Sequence, residues 1–137
     1  MKKIFTYLLL LLAPLAFMAQ TSAREKIEAQ KAAFITEKLD LSPAEAQTFW
    51  PLYNEYQQKK ETLRQTQMQG WKKLETMNDK EVEELLNNDL ASKQKEVDLQ
   101  KDFNKKIQAV ISHRKLALLY KAEEDFRKLL IQKLKEK

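Results

Sequence analysis

The side chain best suited to moving a proton near neutral pH is histidine, and this chain has one, His113, beside a predicted helix start. With no second histidine and no cysteine, a serine has only that one candidate base and there is no thiol to activate, so acyl-transfer chemistry lacks its parts. Carboxylates are plentiful. Glu81, Glu83 and Glu84, and later Glu123 and Glu124, are interleaved with lysines at helical spacing, which is the pattern of a solvated helix face rather than of a catalytic pair. A lone glycine, Gly70, rules out a glycine-rich phosphate loop. Metal binding is the rival: His113 with Glu123, Glu124 or Asp125, from a neighbouring turn or a second subunit, could hold an ion. That set is poor for zinc, because it offers one imidazole and no thiolate. The expectation is a non-enzymatic protein without a cofactor or bound metal.

Residues for binding polypeptide or charged surfaces are better supplied. Phe49, Tyr53 and Tyr56 fall on one helix face with Trp50 beside them. Either they form the core at one end of a helix pair, with Trp50 the most exposed, or they hold a client. Charge is uneven as well. From Gln20 to Asn104 there are 13 basic and 16 acidic residues, whereas from Lys105 onward there are 10 basic and 4 acidic, a balance of +6. Such a segment, with Lys121, Arg127 and Lys128 at its centre, suits an acidic polypeptide, anionic lipid or nucleic acid.

Helices must carry all of these residues. The composition is one-third charged, with three prolines and one glycine, and is rich in Lys, Glu, Gln, Leu and Ala, which are helix formers. Ser22 with Glu25 makes a capping box for helix one, Ala23 to Leu39. Leu41-Ser42-Pro43-Ala44-Glu45 opens helix two with a cap, a proline at the first helical position and a glutamate at the third. Its stripe, Ala46, Phe49, Tyr53, Tyr56, Leu63, Trp71 and Leu74, runs to about Met77, with a bend expected at Pro51. Asn78 and Glu81 cap helix three, which extends to about Val110 with Val82, Leu86, Leu90, Val97, Phe103 and Ile107 in phase. Helix four starts near Ser112 on Leu116, Leu119, Tyr120, Phe126, Leu130 and Leu134. A short loop forces helices two and three into a long antiparallel hairpin flanked by helices one and four, an all-α fold. The hairpin's middle is polar on both sides, from Gln57 to Gln67 and from Ser92 to Asp102, so it should be only marginally stable.

The first residues read as a secretory leader. Lys2 and Lys3 precede an apolar run from Ile4 to Phe17, which gives way to polar residues at Gln20. The run is shorter than the roughly 20 residues that anchor a helix across a bilayer. Cleavage after Ala19 or Ala23 would leave a single helical domain, 20–137, in the periplasm. Export makes nucleic acid the least fitting of the three partners.

With these junctions in place, the chain resembles the Spy/CpxP family of small periplasmic helical proteins. That family carries two copies of a Leu-Thr-x-x-Gln motif at helix starts. Leu41, Ser42 and Glu45 match the first copy with Ser for Thr and Glu for Gln, and Ile111, Ser112 and Lys115 match a decayed second copy. The stretches 49–56 and 119–126 are similar to a branch common in Bacteroidetes. The resemblance implies a curved homodimer that binds unfolded envelope proteins without ATP; the aromatic group at Trp50, Tyr53 and Tyr56 and the basic residues Lys121, Arg127 and Lys128 are then the expected client-contacting set. A sensor or adaptor restraining a membrane signalling partner, or a periplasmic metal sensor, are the alternatives it leaves open.

Overall fold

The computed structural model describes residues 22–136; the expected leader, 1–19, lies outside them. Among the described residues there are four helices and no strand: α1 over 22–39, α2 over Pro43–Trp71, α3 over Asp79–Ile107 and α4 over His113–Lys135. The all-α architecture with its helix hairpin is as expected.

The caps explain where helices begin. Ser42 Oγ accepts from the Glu45 backbone N–H at 3.1 Å, and Glu45 Oε2 accepts from the Ser42 N–H at 3.0 Å. Asn78 and Glu81 repeat the exchange at 3.0 and 2.8 Å. Each cap residue is worth about 0.5–2 kcal/mol, because it satisfies donors that have no partner inside the helix. Ser22 departs from expectation: it is already helical, so it is not in the cap position.

Helix ends also differ from the sequence reading. α2 stops at Trp71 instead of near Met77, and a 3-10 turn over Leu74–Thr76 follows, in which Lys73 and Leu74 carbonyls accept from Thr76 and Met77. Apolar periodicity ran on through this turn, because a 3-10 segment keeps side chains three apart in phase. α3 ends at Ile107, whose carbonyl accepts from both Val110 and Ile111. Pro51 lies inside α2, which continues through it without a break. After α1, Asp40 takes φ 48°, a left-handed residue that ends the helix.

Two compact units result. One comprises the described part of Met1–Asp40 with Leu118–Lys137, where Ile35, Leu39, Leu119, Ala122 and Phe126 are buried. Phe34 lies 5.7 Å from Phe126 by ring centroids, and the Lys38 ammonium sits 5.3 Å from the Phe34 ring.

The second unit, Leu41–Ala117, is the hairpin with the start of α4. α2 and α3 are 29 residues each, or about 43 Å at 1.5 Å per residue. Tyr56 stacks on Phe103 at 4.3 Å and an 8° interplanar angle, Tyr53 meets the same ring edge-on at 6.4 Å, and Phe49 stacks on Tyr53 at 5.5 Å. Toward the other end Leu85 packs so closely on Gly70 that a Cβ there would stand 3.0 Å from Leu85 Cδ1. Pairing of 56 with 103 and of 70 with 85 fixes the antiparallel register. Between these two contacts no residue of 57–69 or 86–102 is buried, which is the polar waist foreseen from sequence. Near the aromatic end, the Glu55–Lys59 and Asp102–Lys106 ion pairs also attract each other across the helices.

Phe103→Ala removes the ring on which both tyrosines pack and should cost about 3–5 kcal/mol. A urea unfolding curve should show a sharply lowered midpoint; a midpoint near wild type would mean that the hairpin is held elsewhere.

Candidate polypeptide-binding surface

Register decides which α3 residues face α2. Leu85, Asp89, Ser92, Leu99, Phe103 and Ile107 recur at spacings of three, four and seven and are all buried or half-buried. Of the apolar residues expected to pack there, Phe103 and Ile107 are buried and Val82 half-buried, whereas Leu86, Leu90 and Val97 stand about 100° further round the helix. Leu86, Leu90 and Val97 are accordingly exposed, at 51, 65 and 46 %. At spacings of four and seven they share one face of α3 and form an apolar strip with Lys93 and Lys101 near its edges. The expected partners on α2 are displaced too: Trp71 and Leu74 are exposed, and Met68 beside them.

A separate cleft of about 260 Å³ opens between α2 and α3 next to Gly70, lined by Gln67, Trp71, Asn88, Asp89 and Ser92 among others. Asp89 organises it. Its Oδ1 accepts from Trp71 Nε1 and Gln67 Nε2, each at 3.4 Å, and Lys93 Nζ lies 2.8 Å from Oδ2. The Lys93 ammonium, helped by the indole N–H, holds the Asp89 carboxyl below the usual carboxylate range. Amide, hydroxyl and indole groups here can exchange hydrogen bonds with peptide groups, while the α3 strip offers only apolar contact.

The residues singled out from sequence fall into three groups. Trp50 is half-buried, edge-on to Phe49 at 4.9 Å and to Tyr53 at 5.5 Å. Tyr53 and Tyr56 are each only 4 % exposed, so their rings belong to the hairpin core and are not a client surface; Phe103 takes both, Tyr56 by stacking and Tyr53 edge-on. Lys121, Arg127 and Lys128 are exposed but locally paired, Lys121 with Asp125 and the other two with Glu124, which weakens their pull on a distant partner. His113 is exposed at the first residue of α4, and among the described residues no three His, Asp or Glu side chains gather around a possible metal position.

The two stretches that resemble the motif meet. Ser112 Oγ caps α4 by accepting from the Lys115 N–H at 3.2 Å, and Lys115 Nζ reaches Glu45 Oε2 at 2.7 Å. Ile111 is buried and Leu41 half-buried beside these caps. The motifs thus act as a clasp between the starts of α2 and α4, with Glu45 serving as both cap and ion-pair partner. No sequence signal pairs positions 70 residues apart; only the shared motif pointed to both.

Lys115, and then the Ser42 backbone N–H, hold the Glu45 carboxyl below its ordinary value of 4.5. A depressed carboxylate pKa stabilises the fold above the unfolded value, and that contribution is lost as pH falls through the folded value. Thermal midpoints should therefore fall on acidification from about pH 5 to 3, and Lys115→Ala should lower the midpoint at pH 7 while flattening part of that dependence. Identical pH profiles for the two proteins would remove the clasp from the account. In comparisons with known proteins, no family model, curated protein or solved structure matches this chain.

Proposed function

We propose that the protein is an ATP-independent holdase of the bacterial envelope, exported by its leader, that keeps unfolded polypeptides from aggregating. The observation that carries this reading is the apolar strip Leu86–Leu90–Val97, three aliphatic side chains left in solvent on one face of a helix whose core positions are partly polar. Isolated apolar residues on a surface are ordinary, but an aligned set with basic neighbours suits chains that expose mixed apolar and acidic segments. Side chains on a thinly packed waist adapt to different sequences without a unique geometry, which favours weak, broad binding. The Spy/CpxP resemblance supports the same role, and the paired Ser42–Glu45 and Ser112–Lys115 clasp gives its two motif copies a common structural task.

Equimolar protein, without ATP or added metal, should slow aggregation of several unrelated unfolded substrates. Replacing Leu86, Leu90 and Val97 together with glutamine, a good helix former, should weaken client affinity at least about tenfold with helicity unchanged. Failure of the wild type to protect any substrate, together with tight binding to one envelope protein, would replace the holdase with an adaptor of envelope signalling.

A further inference from the structure

The last turns of α4 carry a second apolar surface, on the other unit. Leu129, Ile131 and Leu134 are exposed there, Leu134 at 74 %. Residues 127–135 contain Arg127, Lys128, Lys133 and Lys135 and no acidic residue. On a helical projection the half-buried Leu130 and the exposed Leu134 and Ile131 span about 100°, with Lys128 and Lys135 bordering one side and Lys133 the other, while Leu129 lies beyond Lys133 outside that arc. Arg127 projects within the apolar arc, and a long guanidinium stem of that kind can reach out to a polar boundary. Glu124 engages Arg127 and Lys128, but among the described residues no ion pair holds Lys133 or Lys135.

We propose that this end of α4 lies on anionic lipid surfaces. An amphipathic helix with basic flanks places its apolar arc at the acyl boundary while its lysines face the headgroups. Charge complementarity selects the occupant: Lys133 and Lys135, which no ion pair among the described residues holds, with Arg127 and Lys128 sharing the one carboxylate of Glu124, leave a net positive turn that fits a field of phosphate headgroups, and the aliphatic side chains between them fit the layer beneath. No helix among the described residues is long and apolar enough to cross a membrane, so α4 can rest on a bilayer but not span it. Binding by so short a segment is weak and reversible. The holdase reading is independent of this surface.

Cosedimentation of the full protein with phosphatidylglycerol and phosphatidylcholine vesicles tests the inference. Binding is expected to phosphatidylglycerol only. Lys128→Glu with Lys133→Glu and Lys135→Glu should lower partitioning at least about a hundredfold, given the roughly fivefold effect of each charge near an anionic surface. Ile131→Gln with Leu134→Gln should lower it about tenfold, with unchanged circular dichroism. The inference is overturned if the protein binds neither vesicle, if it binds both equally, or if the glutamine variant binds like wild type. Tighter binding to polyglutamate than to phosphatidylglycerol would assign the surface to an acidic polypeptide and equally overturn it.

Discussion

Tyr56 lies flat on Phe103, and the position of that one stack governs what the hairpin shows to solvent. The rings are nearly parallel at 4.3 Å, with Tyr53 closing on the edge of the same phenyl group. Once Phe103 is turned toward α2, helical geometry carries Leu99, Ser92, Asp89 and Leu85 to the same side. Leu85 then meets Gly70, the one residue without a Cβ and so the one that allows this approach. A slip of one residue on α3 would rotate Phe103 away by about 100° and bring Leu86 and Leu90 inward. The exposed strip is therefore a consequence of aromatic packing at the far end of the helix.

Because Asp89 and Ser92 occupy the facing positions at mid-hairpin and Glu96, next in that phase, is exposed, little apolar area is buried there. Helix continuity across the waist depends on capping boxes and on ion pairs such as Glu55–Lys59, Glu61–Arg64 and Asp89–Lys93. Such pairs are at least partly exposed and individually worth only a few tenths of a kcal/mol. Sparse apolar burial of this kind lowers the free energy of local opening relative to the buried aromatic end and the Glu45–Lys115 clasp. Local adaptability next to a rigid end is what a binder of varied unfolded chains requires.

Capping chemistry was legible in the sequence, because Ser42 with Glu45 and Asn78 with Glu81 act through neighbouring residues alone. The waist was legible too, since a run of polar residues on both helices cannot be buried at any register. The strip was not. Leu86, Leu90 and Val97 are as regular as any core stripe, and hydrophobic periodicity carries no information on which of two apolar faces meets the partner helix. Here Leu85, an isolated apolar residue in its phase near the hairpin's turn, is buried, while of the expected stripe Phe103 and Ile107 are buried and Leu86, Leu90 and Val97 are exposed. Tyr53 and Tyr56 were ambiguous for the same reason: aromatic residues on one face serve a core or a surface equally well. The basic balance after Lys105 was visible, but its division into paired and unengaged charges depends on i, i+3 and i, i+4 geometry with Glu124 and Asp125.

Amide hydrogen exchange with and without an unfolded client tests most directly whether the α3 strip receives polypeptide. The account predicts added protection centred on Leu86 to Val97, while the already buried segment around Tyr53 and Tyr56 changes little. Protection that leaves 86–97 untouched and appears instead around Trp50, or only along α4, would contradict it.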